Sequence, residues 1–173
     1  MINGILNIYK EKGYTSHDVV AKLRGIVGQK KIGHTGTLDP QAQGVLPVCL
    51  GKGTKLCDLL ADHDKEYEAV LRLGITTDTQ DMEGTILKES SVQVSEEEVR
   101  TCILSFQGEQ MQVPPMYSAL KVNGKKLYEL AREGKVVERK ARPVTFHNIE
   151  VLWMELPKVK IRVQCSKGPY IRT

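Results

Sequence analysis

The sequence has 173 residues, 40% of them hydrophobic and 27% charged, a balance that suits a folded domain with a sizeable core and excludes an extended disordered chain. No apolar run approaches the ~18 residues of a membrane span, and the start, Met1-Ile2-Asn3-Gly4, lacks the basic-then-apolar pattern of a secretory leader. The net charge of +4, from 25 Lys+Arg against 21 Asp+Glu, is compatible with an RNA partner without demanding one.

Gly4–Lys10 alternates in part and predicts a first strand. Thr15 or Ser16 is placed to cap a helix through its hydroxyl. Val19, Val20, Leu23, Ile26 and Val27 then recur at helical spacing, and Gly28 ends the run. The stretch from Gly33 to Gly44 holds three glycines and a proline and predicts a shaped loop. Val45–Leu50 reads as a buried strand, Gly51-Lys52-Gly53 as a break, and Thr54–Ala61 as a short helix with Leu56, Leu59 and Leu60 inward. Glu66–Gly74 alternates well and predicts a strand with Tyr67, Ala69, Leu71 and Leu73 on one face. The segment from Thr76 to Asp81 reads as a polar loop and Thr85–Lys88 as a short strand. Ser95 with Glu98 forms a capping box that opens a helix running to about Phe106.

Further on, Gly108 to Pro115 is expected to be irregular, and Ala119–Val122 extended before the Asn123-Gly124 turn signal. Lys126–Glu133 is amphipathic and stops at Gly134, which predicts a short helix. Between Lys121 and Arg142 there are eight basic residues against three acidic ones, so this window carries +5 and the rest of the chain −1. Such a run is either a solvated face or an arm that touches phosphates. Pro143–Leu156 and Lys158–Ser166 read as two strands of a hairpin joined at Pro157. Strands and helices mix without a regular βαβ beat, which points to the α+β class with a mixed, mostly antiparallel sheet flanked by helices.

The loop from Gly33 to Gly44 is the strongest candidate for chemistry. It is longer and richer in glycine than a turn requires, it leads into an apolar strand, and it carries His34 and Asp39 with little other charge. A carboxylate is a competent covalent nucleophile towards an electron-poor carbon. Cys49, Cys57, Cys102 and Cys165 are widely spaced, form no Cys-x-x-Cys pair, and do not combine with the four histidines in a zinc pattern. They read as reduced packing residues, and neither a metal nor another cofactor is expected.

Gly33-His34-Thr35-Gly36-Thr37-Leu38-Asp39-Pro40-x-Ala42-x-Gly44-Val45-Leu46-Pro47 resembles the catalytic motif of the TruB family of tRNA pseudouridine synthases. Four further stretches resemble the family's other motifs, in the family's order. They are Lys12-Gly13-x-Thr15-Ser16-x-x-Val19-Val20; Lys65-x-Tyr67 with Leu73-Gly74-x-x-Thr77-x-Thr79-x-Asp81-x-x-Gly84; Pro114-Pro115-x-x-Ser118-Ala119-x-Lys121-x-x-Gly124; and Cys165-Ser166-Lys167-Gly168-x-Tyr170-Ile171-Arg172-Thr173. One departure is Glu11, where the family usually has proline.

The resemblance implies the pseudouridine synthase fold and an isomerase that converts the T-loop uridine of tRNA to pseudouridine after base flipping. It implies Asp39 as nucleophile, and the sequence favours neither the base nor the sugar as its target. Arg172 is implied as the guanidinium that holds and ionises Asp39. Tyr67 would stack on the uracil and help remove its proton, Tyr170 would line the uracil pocket, and His34 would enter the T loop. Lys12, Lys125 and Lys126 are further candidates for contact with the RNA, the last two within a basic thumb-like insertion over residues 115–143. The family continues beyond this motif, so residues 1–173 are expected to be an incomplete catalytic domain without the C-terminal RNA-binding domain. The expected setting is cytoplasmic, with the T arm of tRNA as partner, no membrane, and a monomer at full length. A non-catalytic tRNA-binding or tRNA-folding module, and a guide-dependent synthase of the same superfamily, are the alternatives.

Overall fold

The computed structural model describes residues 1–173, which divide into two units, Met1–His63 and Asp64–Thr173. In the first unit, β1 (Gly4–Lys10) leads to α1 (Ser16–Val27), β2 (Ile32–His34) and β3 (Gly44–Leu50). The three strands form an antiparallel sheet in the order β1-β3-β2, with Gly4 opposite Leu50 and Lys10 opposite Gly44. Thr15 caps α1: its hydroxyl accepts the Asp18 amide at 3.0 Å, and the Asp18 carboxylate accepts the Thr15 amide at 2.9 Å. Gly28 closes the helix at φ 67°, a conformation that suits glycine. Val19 and Val20 of α1 are buried with Ile32, Leu46, Val48 and Leu50 of the sheet, and Ile8, Leu23, Val27 and Leu38 pack around them.

Pro47 lies within the middle strand, where a missing N–H is ordinarily a defect. Its carbonyl accepts the Thr35 amide at 3.1 Å, so its nitrogen faces the same side, just past the point where β2 ends at His34. The ladder to β1 therefore loses nothing. After β3 a 3-10 turn (Gly51–Leu56) runs into α2 (Cys57–Ala61).

In the second unit, β4 (Lys65–Arg72), β5 (Ile75–Thr77), β6 (Ile86–Glu89), α3 (Glu96–Leu104) and β7 (Gly108–Gln112) precede the short strands β8 (Lys121–Val122) and β9 (Lys125–Lys126), α4 (Leu127–Arg132), and the long strands β10 (Arg142–Glu155) and β11 (Lys158–Cys165). The main sheet is antiparallel throughout, in the order β4-β11-β10-β7. One face, with Ile149, Val159, Ile161, Val163 and Cys165, buries Val99 of α3. The other face carries charge: Arg162 reaches Glu68 at 2.9 Å and Glu150 at 3.0 Å, and Lys160 reaches Glu68 at 2.7 Å.

Four predicted features differ. Gly33 and His34, expected to open the loop, instead belong to a strand with Ile32, because Ile32 and Gly33 find partners in Leu50 and Cys49 and a side chain at Gly33 would sit only 3.3 Å from the Cys57 sulfur. Gly108–Gln112 is an edge strand rather than irregular, paired with β10 despite its polar composition. The polar loop expected from Thr76 begins as β5, whose partner is β6. Leu56 and Leu59, expected inward, are 42% and 64% exposed; the turn begins at Gly51, which changes the phase of the short helix that follows. Cys102 and Phe106 of the α3 region are exposed as well. Burial pushes the Cys49 and Cys165 thiols up to about 11, aided at Cys49 by the Cys57 thiol beside it, so both stay protonated packing groups.

Candidate active site

In the first unit, the connection from β2 to β3 presents Asp39 to solvent. Its neighbour Leu38 turns into the hydrophobic core, so one side chain anchors the loop while the next is displayed. The loop backbone is pinned from two directions. Ser16, buried at the start of α1, accepts the Leu38 amide at 2.9 Å. The Pro40 carbonyl accepts the Gly13 amide at 2.9 Å and the Lys10 ammonium at 3.2 Å. Within the loop, the Ala42 amide donates to the Asp39 carbonyl at 3.0 Å.

Lys10 is the residue that the sequence did not single out. It is 0% exposed, and its ammonium also donates to the carbonyls of Tyr14 at 2.7 Å and Glu11 at 3.0 Å. All three of its donors are therefore engaged. Burial lowers its pKa from the ordinary lysine value, and the Asp39 carboxylate opposes that effect. The available signal is parity: Ile8 and Lys10 occupy inward positions of β1. His34 ends β2, half-buried, with its Nδ1 enclosed and unpartnered. Lys12 is exposed in the turn after β1.

In the second unit, Tyr67 lies on β4 opposite Val163 and packs on the core face of the main sheet, as its alternation predicts. Ile171 packs into the same cluster and so fixes the residues on either side of it. Tyr170 and Gln112 exchange two hydrogen bonds, amide to side-chain oxygen at 2.8 Å and side-chain nitrogen to carbonyl at 3.0 Å. The guanidinium carbons of Arg142 and Arg172 lie 5.3 and 5.9 Å from the centre of the Tyr170 ring.

The Arg172 side chain is only 15% exposed and reaches Asp81 at 3.3 Å and the Tyr117 carbonyl. Asp81 is itself organised: the Thr79 hydroxyl donates to it at 2.6 Å and the Glu83 amide at 3.0 Å. Burial pushes the Asp81 carboxyl up, but these donors and Arg172 together outweigh it and hold the pKa below the usual carboxylate value. Gly84 closes this turn; a Cβ there would lie 2.2 Å from the Thr79 hydroxyl and 2.4 Å from the Asp78 carboxylate.

The basic segment forms a small hairpin, β8 against β9, turned by Asn123 at φ 51° and Gly124 at φ 82° and followed by α4. Lys125 stands 3.7 Å from Glu133, and the Lys126 ammonium lies 3.2 Å from the Tyr128 hydroxyl. Arg139 donates to the Pro114 carbonyl at 3.2 Å. No group of three or more His, Cys, Asp and Glu is arranged to hold a metal ion, and no helix is long and apolar enough to cross a membrane.

A sequence model of the TruB family pseudouridylate synthase (N terminal domain) matches residues 24–171. Among curated proteins, the tRNA pseudouridine synthase B of Clostridium novyi (strain NT) is 60% identical over 172 residues, covering 99% of this chain and 60% of that protein. That of Lachnoclostridium phytofermentans (strain ATCC 700394 / DSM 18823 / ISDg) is 61% identical over 180 residues, covering 99% of this chain and 59% of that protein. Among solved structures, a Cbf5-Nop10-Gar1 complex contains a chain similar to this one with a TM-score of 0.74 and 33% identity, over 97% of this chain and 41% of that one. An H/ACA RNP bound to a substrate RNA containing 2'-deoxyuridine gives 0.69 and 30%, over 97% and 39%. The chain thus spans about 60% of the length of the curated relatives it matches.

Proposed function

Because the chain belongs to the TruB family of pseudouridylate synthases, we propose that it isomerises the T-loop uridine of tRNA to pseudouridine, with Asp39 as the nucleophile. The observation that carries this reading is the presentation of Asp39. Its carboxylate is displayed on a loop whose backbone is pinned by Lys10, Gly13 and Ser16, which is the fixed placement that a covalent step requires. The reaction breaks the bond from ribose C1′ to uracil N1 and makes one from C1′ to C5. A proton leaves C5 and one is gained at N1, so atoms balance without an oxidant or a second substrate.

In this reading Arg172 steadies the Asp39 side chain, Tyr67 stacks on the extruded uracil and assists removal of the C5 proton, and Tyr170 lines the base pocket. His34 fills the place of the flipped nucleotide in the T loop. Lys12, Lys125 and Lys126 contact phosphates, the last two from a thumb over residues 115–143. At full length the protein acts in the cytoplasm on the T arm of tRNA, as a monomer. The tRNA pseudouridine synthases B are 60% and 61% identical to this chain, against 33% for the chain in the Cbf5-Nop10-Gar1 complex, which favours tRNA as the substrate.

The test is tritium release from tRNA labelled at uracil C5. Asp39→Asn is expected to bring release to background while tRNA binding survives. Turnover retained in that variant would remove Asp39 from the nucleophile role, and binding without release by the unaltered protein would favour the non-catalytic module.

A further inference from the structure

A cavity of about 480 Å³ opens within the first unit, lined from α1, from β2 and from the turn that leads into α2. Its wall takes His17 and Arg24 from α1, Lys30 and Lys31 from the connection to β2, and His34 from the end of that strand. Three of these are permanent cations and no carboxylate lines the cavity, so the local field has one sign and attracts an anion. Arg24 is held at the wall by a 3.3 Å hydrogen bond to the Ile32 carbonyl, which leaves the rest of its fork for another acceptor. The enclosed Nδ1 of His34 has no protein partner. The wall holds no Phe, Tyr or Trp, and its three cations outnumber its two imidazoles. That one-signed charge suits a phosphate.

We propose that this cavity receives a phosphate of the RNA backbone, a second anchoring point apart from the basic thumb. The assignment rests on the RNA-modifying reading above. Lys30 and Lys31 are exposed and belong to no regular element, so their replacement leaves the core intact. In the Lys30→Gln, Lys31→Gln variant, T-arm stem-loop RNA should bind more weakly than to the unaltered chain. The plot of log affinity against log salt should become shallower by about 1 for each phosphate that is no longer neutralised. As a separate probe, pyrophosphate should shift the ring-proton resonances of His17 and His34 in the unaltered chain and not in the variant.

An unchanged salt slope in the double variant would overturn the proposal. So would pyrophosphate shifts at His34 with none on adding RNA, because the anion would then come from another source. Failure of the synthase reading is distinguishable: it would appear as absent tritium release while the slope difference between the two chains persists.

Discussion

The ammonium of Lys10 sits out of solvent and spends its three donors on the carbonyls of Glu11, Tyr14 and Pro40. It thereby ties the strand that carries it to a loop thirty residues away. Lys10→Met nearly keeps the length of the side chain but removes the donor shared by the carbonyls of Glu11, Tyr14 and Pro40, of which Pro40 keeps the Gly13 amide. The expected loss is roughly 1–3 kcal/mol in urea unfolding, with faster hydrogen exchange at the Gly13 amide, which bonds to Pro40. An unchanged midpoint and unchanged protection would show that the loop holds without it. Asp81 illustrates the opposite charge. Its folded pKa lies below the ordinary carboxylate value, so its contribution is full at neutral pH and is lost as pH falls through that depressed value. Asp81→Asn should therefore cost on the order of 1 kcal/mol or more at neutral pH, and the gap should close as pH is taken below about 4. A gap that widens in acid would contradict this sign.

At the scale of elements, α1 serves two purposes through adjacent residues. Thr15 and Asp18 satisfy the first amides of the helix reciprocally, and Ser16, one residue on, holds the Leu38 amide beside Asp39. The helix start is thus also a support for the candidate loop. Thr15→Ala is expected to lower stability by about 1 kcal/mol, read from urea titration. A variant with an unaltered midpoint would indicate that tertiary packing alone sets the start of α1. The exposed ladder of Glu68, Glu150, Lys160 and Arg162 has a different weight. Its side chains are 31–53% accessible, and such pairs contribute little each in water, so the register of β4, β11 and β10 rests mainly on their buried face.

For the whole molecule, the sign of the charge is distributed rather than merely summed. The basic window from Lys121 to Arg142 carries more than the entire net charge, yet part of it is engaged locally by Glu133. The first unit adds its own cationic cavity, made by residues whose charges do not stand out in composition. Two sheets, each with its own hydrophobic cluster, supply the rigid backing for the segments that hold the candidate site residues of each unit.

Long-period signals were readable without coordinates. The helical spacing of α1, the alternation of β4, the Ser95-Glu98 capping box and the hairpin of β10 and β11 are all local, and each is found where its pattern places it. The motif around Asp39 and the family it belongs to were equally legible. The short strands β2, β5 and β7 were not, because three to five residues have little preference of their own and become strands only when a distant partner supplies the ladder. The amino-acid sequence alone determined the family, the main elements and the chemical kinds at the site. Tertiary structure alone decided that Lys10 is buried, that Arg172 meets Asp81, 91 positions away, and that Arg24, Lys30 and Lys31 share one cavity. Those facts depend on which distant backbone and side-chain groups the folded chain brings within a few ångströms, and no local pattern encodes that distance.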